Sequence, residues 1–337
     1  MSKRTRREFL GKTVFGALGA GLTLAAVKPG SLWAGSENDK RGYGAGRYAV
    51  ELQGISAGWL QSVEGGHAVG DVVNEKLGAD NLQKKHIGNV KYEDITLNCG
   101  AGMSKNFYEW IEASLDNKHQ RKDGAIVTSD YDYKEMSRLE WTNGLISEVG
   151  LPALDASSKD AAKMTIKITP ESTRMVNGSK KPVNAQKPSM QKKWLPANFR
   201  LRVDPLDCTK VNKIDAITVK QKVAENAVGT TRNSQTMPAS MTISNLVITL
   251  PESSAQPWYK WHEEFAVKGN NSKTAEKSGQ LEYLTEDLRD TLFTLTLKNL
   301  GIFKIGPDNS SSGGARRVKI EMYCESIHFS YGPAASA

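Results

Sequence analysis

The chain has 337 residues, of which 39% are hydrophobic and 24% charged. This composition is typical of a folded soluble protein and excludes a disordered or collagen-like chain, and the length predicts two domains rather than one. Three distant cysteines, Cys99, Cys208 and Cys324, exclude a disulfide-dense scaffold and a cysteine zinc site. Much of the formal net charge of +8 lies in residues 1–35, so specific nucleic-acid binding is not expected.

Residues 1–35 are predicted to be a twin-arginine export signal, with a basic start, an apolar run from Thr13 to Val27 and a small-residue exit. The residues that carry this prediction are Arg6, Arg7, Phe9, Leu10 and Ala34. It implies the twin-arginine translocase as a partner and a periplasmic or extracellular location. A chance match would leave the protein in the cytoplasm or in a virion-like particle. Residues 36–46 are expected to form a flexible lead-in.

From Arg47 the hydrophobic pattern has mostly period two, which predicts β-strands. Strands are predicted at Tyr48–Leu52, Tyr92–Leu97, Leu139–Thr142 and Met164–Ile168. Residues from Ser104 to Leu115 instead show helical spacing, with Ser104 as the N-cap. The sequence therefore predicts a mainly β fold, a β-barrel or sandwich with a short flanking helix.

The same order recurs in the second half. Strands are predicted at Asn198–Val203, Met241–Leu250, Thr291–Lys304 and Arg316–Phe329, with an aromatic helix at Pro257–Phe265. An Ile-Thr-Leu segment precedes each predicted helix, at residues 95–97 and 248–250. The segment Asn143–Gly150 is similar in the same way to Asn299–Gly306. This pattern favours a tandem duplication, although any two β-rich domains would share a few strands. We predict domains at 47–176 and 197–332, an exposed linker at 177–196 and a tail at 333–337.

No catalytic, cofactor or metal site is predicted. Phosphate-loop, zinc-protease and serine-hydrolase motifs are absent from the sequence. His262, Glu263 and Glu264 are adjacent on a short helix and favour a solvated face. Asp130, Asp132 and Asp155 lack calcium-loop spacing and are expected in turns. Trp110, Trp258 and Trp261 are expected in the core, where aromatic side chains commonly pack on a sheet.

Gly65–Val90 is predicted to be a long polar hairpin that cannot bury both of its faces within one chain. Its edges favour pairing with another subunit, and a flexible surface loop is the alternative. The candidate contact residues are Val69, Val72, Val73, Lys84, Lys85 and Ile87.

Several ordered motifs make residues 48–175 resemble the tail tube family of contractile phages and contractile injection systems. The motifs are Tyr48–Gly54, Lys85–Leu97, Trp110-Ile111, Arg121–Gly124, Trp141–Gly144 and Leu154–Ser158. The resemblance implies a small β-barrel flanked by a helix, six-membered rings that stack into a hollow tube, and a long hairpin that docks on the next ring. The second half resembles a diverged copy of the first half, but it lacks the Gly-x-x-Lys-Tyr motif that precedes the Ile-Thr-Leu strand there.

The leading hypothesis is a non-enzymatic structural subunit that assembles with itself. Two domains per chain would let three chains form a pseudo-sixfold ring, with sheath, cap or baseplate-like proteins as further partners. The alternative is an exported periplasmic β-barrel module that binds a small ligand or a partner protein. A hydrolase with dispersed carboxylates is a third, weaker hypothesis. An export signal is itself a departure from the family, since its tubes assemble in the cytoplasm.

Overall fold

The computed structural model describes residues 46–76, 82–183, 194–226, 234–308 and 316–335. The predicted export residues Arg6, Arg7, Phe9, Leu10 and Ala34 lie outside the described residues, as do the lead-in up to residue 45 and residues 184–193 of the predicted linker. Within the described residues, no helix has the length and apolar character needed to cross a membrane.

The structure is mainly β, which confirms the predicted fold class. The strands of the first half are β1 (Arg47–Leu52), β2 (Ile55–Leu60), β3 (Ser62–Gly65), β4 (Ala68–Lys76), β5 (Gln83–Tyr92), β6 (Ile95–Cys99), β7 (Lys122–Ser129), β8 (Glu135–Leu151), β9 (Leu154–Asp155), β10 (Met164–Thr169) and β11 (Ser172–Asn177). Between β6 and β7 lies helix α1 (Lys105–Leu115).

The second half continues in a similar order. Its strands are β12 (Phe199–Val203), β13 (Lys213–Ile214), β14 (Ile217–Asn226), β15 (Gln235–Ile243), β16 (Leu246–Pro251), β17 (Lys277–Leu284), β18 (Thr291–Pro307) and β19 (Arg317–Tyr331). Between β16 and β17 lies helix α2 (Gln256–His262), which continues into a π-helical turn at Glu263–Val267.

Two large sheets are built from strands of both halves. One runs β2-β1-β7-β8-β10-β6-β3, and β14 of the second half pairs with its strand β8. The other runs β12-β17-β18-β19-β16-β13-β9, so β9 of the first half forms its edge. Strands β4 and β5 form a separate two-stranded sheet. The backbone of each half therefore completes a sheet of the other.

The hydrophobic core also crosses between the halves. The Tyr108 ring of α1 stacks on Tyr331 at 5.4 Å and meets Phe293 at 5.3 Å between centroids. Trp194, at the end of the predicted linker, packs edge-on against Phe293 and is buried. Trp110, Trp258 and Trp261 are buried as well, which confirms that these aromatic residues belong to the core.

Two local predictions were wrong, and a third, the N-cap of the first helix, was confirmed in position but without the side-chain hydrogen bond. The predicted strand Tyr92–Leu97 is interrupted at Glu93-Asp94, where the chain leaves β5 and enters β6. The predicted strand Met241–Leu250 is interrupted in the same way at Ser244-Asn245. Ser104 occupies the N-cap position, but its side chain makes no capping hydrogen bond. Its backbone carbonyl instead accepts from the N–H groups of Phe107 and Tyr108.

The longest strands of the two halves share several details. Strands β8 and β18 each have 17 residues. Each contains an asparagine with positive φ at its ninth position, Asn143 at 50° and Asn299 at 54°. Each asparagine amide donates a hydrogen bond of 2.7 Å to a glutamate that precedes a serine, Glu171 and Glu325 respectively. This conformation is uncommon outside glycine, so its recurrence at matched positions is informative.

Candidate assembly surface

The first hairpin, Ala68–Tyr92, consists of the paired strands β4 and β5. Val72 lies opposite Ile87, and these side chains are 55% and 61% exposed. Within the described part of the chain, β4 forms ladder pairs with β5 alone. The hairpin thus presents apolar side chains and an unpaired strand edge to solvent, a combination that favours pairing with another chain.

The structure places the predicted contact residues together on this hairpin. Val69 and Val73 are exposed on β4, in addition to Val72. Lys84 lies opposite Glu75 and Lys85 opposite Asn74 in the outer part of the hairpin. The hairpin predicted from residues 65–90 is therefore present, while its turn at 77–81 lies outside the described residues. Whether the hairpin contacts another subunit stays a prediction.

The second half contains an equivalent hairpin, formed by β14 and β15. In the first hairpin Asn74 pairs with Lys85 and Glu75 with Lys84. In the second hairpin, Glu225 pairs with Thr236 and Asn226 with Gln235, which are the corresponding positions when both ladders are counted from their register shift, after Gly70 and after Gln221. Sequence reasoning found part of β15 but missed β14, although Ile217, Val219 and Gln221 alternate as buried residues along it. That alternation is the sequence signal from which β14 could have been predicted.

The second hairpin, unlike the first, is docked. Residues Ile217–Lys220 of β14 pair with Leu151–Glu148 of β8 in antiparallel register. The Lys220 ammonium lies 3.6 Å from the Glu148 carboxylate. This junction attaches the hairpin of the second half to the longest strand of the first half.

Polar contacts extend this junction along the hairpin. The Thr236 N–H donates to Glu171 Oε1 at 3.1 Å, and the Arg121 guanidinium donates to the Thr236 carbonyl. The Gln221 amide lies 3.0 Å from His119 Nδ1. Thr236 and Gln221 are both buried. The second hairpin is therefore held by its side chains as well as by its backbone.

Three of the acidic residues considered as sites, Asp130, Glu263 and Glu264, act locally, as predicted. Asp155 does not: it lies in strand β9, not in a turn, and pairs with Lys213 of the other half at 3.0 Å. Asp130 Oδ1 accepts hydrogen bonds from the N–H groups of Asp132 and Lys134 within one turn. Glu263 and Glu264 both pair with the exposed Lys268. These contacts are typical of turns and solvated helix faces.

The three cysteines are free and buried. Burial raises the pKa of Cys99 to about 12 and the pKa values of Cys208 and Cys324 to about 11. Since the thiolate is the reactive form, burial disfavours the reactive form of all three thiols near neutral pH.

One group with metal-ligand chemistry was not predicted. Within the described residues, one ligand atom from each of Glu112, Asp116 and His328 lies within 4.8 Å of the others. His328 Nδ1 is 2.7 Å from Asp116 Oδ1, and the Lys118 ammonium also reaches Asp116. Partial burial opposes ionisation of Asp116, but His328 and Lys118 outweigh it and lower its pKa. This group links α1 to β19.

Comparison with protein families gave a match in the first half of the chain. Residues 45–174 match the family model described as T4-like virus tail tube protein gp19. This range nearly coincides with residues 48–175, which carry the sequence resemblance. It includes the first hairpin, α1 and the whole of β8. A search of curated proteins gave no match.

Solved structures gave weaker likenesses. A chain of the PVC extracellular contractile injection system sheath-tube complex is 21% identical, with TM-score 0.37, covering 43% of this chain and 99% of that chain. A chain of the anti-feeding prophage tube terminating cap is also 21% identical, with TM-score 0.37 and coverages of 44% and 99%. Hcp1 from E. coli EAEC 042 is 16% identical, with TM-score 0.24 and coverages of 41% and 91%. At these TM-scores the likenesses establish nothing about the function of this chain.

Proposed function

We propose that the protein is a non-enzymatic structural subunit that assembles with itself into rings that stack as a tube. The observation that carries this proposal is the first hairpin, which exposes Val72 and Ile87 on a strand pair without a neighbouring strand in the described chain. A monomer gains nothing from such a surface, whereas a second copy would bury it. The family match over residues 45–174 supports the same role.

We further propose that the two halves are tandem copies and that three chains form a pseudo-sixfold ring. The matched asparagines Asn143 and Asn299, with their glutamate partners, support duplication. The matched registers of the two hairpins support it independently. If each chain supplies two equivalent domains, three chains supply the six domains of a pseudo-sixfold ring.

The exposed outer part of the first hairpin is proposed to contact the next ring. Val73, Lys84 and Lys85 lie in this part. Sheath, cap or baseplate-like proteins are proposed as further partners, in keeping with the tail tube family matched by the first half.

Electron microscopy and mass photometry of the full chain test the proposal. We expect rings or stacked tubes with a central hole, at a mass of three chains of 36.9 kDa per ring. A ring of six chains would contradict the three-chain arrangement while leaving the structural role intact. A monomer at micromolar concentration would contradict self-assembly and favour the binding-module alternative. A ligand that raises the melting temperature would then identify that function.

Export through the twin-arginine route is proposed from the sequence alone. Replacing Arg6 and Arg7 by lysine preserves the positive charge and removes the paired arginines that the route reads. We expect the variant to accumulate in the cytoplasm of the expressing cells while the wild type reaches the periplasm or medium. Equal distribution of both proteins in cell fractions would contradict the proposal.

A further inference from the structure

Three side chains with metal-ligand chemistry meet where the two halves of the chain pack together. Glu112 and Asp116 lie one turn apart on α1, so their carboxylates project from the same face. His328 comes from β19 of the second half. One ligand atom from each residue lies within 4.8 Å of the others, and all three residues are half-buried. Among the residues that the structure describes, no other group of three His, Cys, Asp or Glu side chains comes as close.

Aromatic packing beside this Glu-Asp-His group fixes the helix against the strand. Tyr108 precedes Glu112 by one helical turn, and Tyr331 follows His328 by three residues along β19. The two tyrosine rings stack at 5.4 Å between centroids, and Tyr108 is fully buried. The three ligand atoms are therefore brought together by packed elements of the two halves, which is the arrangement that holds a binding site most precisely.

Asp116 and His328 satisfy each other, whereas Glu112 is left without a partner. His328 Nδ1 is 2.7 Å from Asp116 Oδ1. The Lys118 ammonium lies 3.5 Å from Oδ2, the other oxygen of the Asp116 carboxylate. Within the described chain, the Glu112 side chain makes no hydrogen bond or ion pair. A half-buried carboxylate without a partner is unfavourable, so Glu112 is the member of the group that an added cation would stabilise.

We propose that Glu112, Asp116 and His328 bind one Zn²⁺ ion. One imidazole nitrogen and two carboxylate oxygens suit Zn²⁺, whereas Mg²⁺ and Ca²⁺ prefer oxygen ligands alone. Zn²⁺ holds such atoms at about 2.0–2.2 Å, so two of its ligand atoms stand at most about 4.4 Å apart. The spacing within 4.8 Å is close to this limit, and a small rotation of the side chains would close the site. Water would complete the coordination.

The bound ion would link the two halves of the chain. Two of its ligands belong to α1 of the first half and the third to β19 of the second half. Lys118 is the cation that contacts the group, and its side chain is 72% exposed. It can therefore turn into water when the ion binds. This inference goes beyond the proposed function and does not depend on self-assembly.

Zinc titration of the full chain, without a histidine tag, tests the proposal. In competition with a chromophoric chelator we expect one Zn²⁺ per chain. The melting temperature should rise by about 4 °C at a free Zn²⁺ concentration a hundred times the Kd. Mg²⁺ at the same concentration should change it little. The native cysteines are buried and contribute little competing binding.

Glu112→Gln is the most informative variant, because it removes one ligand and leaves the contact between Asp116 and His328 in place. It should weaken zinc binding by at least about tenfold. His328→Ala removes the nitrogen ligand and should abolish the zinc-dependent rise. Glu109→Gln is the matched control, since Glu109 lies on the same helix, pairs with Lys105 and is outside the group. It should bind zinc as the wild type does. Each variant is compared with and without zinc, which separates loss of the metal from loss of stability.

Two results would overturn the proposal. The first is a wild-type chain that binds no zinc in the competition assay and melts at the same temperature with and without zinc. The Glu-Asp-His group would then be an ion pair between the halves and nothing more. The second is a zinc-dependent rise that Glu112→Gln retains in full, because the carboxylate on which the argument rests would then not be a ligand.

Discussion

Asp155 and Lys213 face each other across the short strand pair β9–β13, which joins the two halves. The Lys213 ammonium lies 3.0 Å from the Asp155 carboxylate, and the Ser157 N–H donates to Asp155 Oδ1 at 2.8 Å. Partial burial raises the pKa of Asp155, but the Ser157 hydrogen bonds and Lys213 outweigh it, lowering the pKa from 3.8 to about 2. Ionised Asp155 therefore stabilises the folded state.

This lowered pKa has a definite effect on the pH dependence of stability. The contribution is fully present above about pH 4 and is lost as pH falls towards the folded-state pKa of about 2. Asp155→Asn should lower stability by about 1 kcal/mol at neutral pH. The difference in melting temperature from wild type should shrink between pH 4 and pH 2. Asp160→Asn, at an exposed site nearby, is the control. A difference that is independent of pH would contradict this assignment.

Asn143 and Asn299 allow a parallel test in the two halves. Each residue combines a positive φ with a side-chain hydrogen bond to a glutamate. An alanine side chain cannot donate this hydrogen bond and tolerates a positive φ poorly. Asn→Ala should therefore lower the free energy of unfolding by about 1–2 kcal/mol at either site. Asn→Gly keeps the conformation and should recover part of the loss. Urea unfolding of the four variants measures this, and a glycine variant as unstable as the alanine variant would contradict the role of φ.

Residue types alone predicted some of these roles and missed others. The burial of Trp110 and Trp258 followed from their helical spacing beside apolar neighbours. The row formed by Lys167, Glu148 and Lys220 could not be predicted, because its members come from three distant strands. Ser104 occupies the predicted N-cap position, but its hydroxyl makes no capping hydrogen bond, a detail of side-chain geometry that the residue type does not determine.

At the scale of elements, the two hairpins share a register but differ in their surroundings. The second hairpin is fixed by β8, Glu171 and His119, whereas the first exposes Val72 and Ile87. The outer part of the first hairpin is proposed to contact the next ring. Shortening the hairpin tests this role.

Replacing residues 74–85 by Asn-Gly should separate stacking from ring formation. Val73 and His86 are paired, so a two-residue turn can join them with the native strand register. The base Ala68–Asp71 is retained. We expect rings of unchanged mass that no longer stack in electron micrographs, with a melting temperature close to that of wild type because the removed part is peripheral. Tubes formed by the shortened protein would contradict the stacking role, and loss of the rings would show that the outer part also acts within a ring.

Period-two patterns predicted the existence of strands better than their ends or partners. The helix ending at Leu115 and the strand Met164–Ile168 were located to within a residue or so. The interruptions at Glu93-Asp94 and Ser244-Asn245 were missed because apolar residues still occur at two-residue spacing on either side of them. Strand β14 was missed because its apolar alternation ends at Val219, where Gln221 takes the next inward position. The burial of Gln221 depends on contacts with residues far away in sequence, such as His119.

At the scale of the whole molecule, the two halves share one hydrophobic core. Tyr108 of the first half packs on Phe293 and Tyr331 of the second, and these aromatic side chains belong to a continuous buried cluster. The sheets are shared in the same way through β14 and β9. Two separable domains were predicted from the length of the chain and the composition of residues 177–196, neither of which reports contacts between distant strands. The domain boundaries themselves stay a prediction.

Splitting the chain within residues 184–193, the central part of the predicted linker, tests how far each half depends on the other. Expressed alone, residues 46–183 would expose the Tyr108 face of α1 and the edge of β8 that β14 covers, so we expect an insoluble or loosely folded fragment. Expressed together, the two fragments should bury these surfaces again and co-purify as a stable pair. Circular dichroism and thermal unfolding distinguish these cases. A first half that unfolds cooperatively alone, at the temperature of the intact chain, would show that the shared core contributes little to its stability.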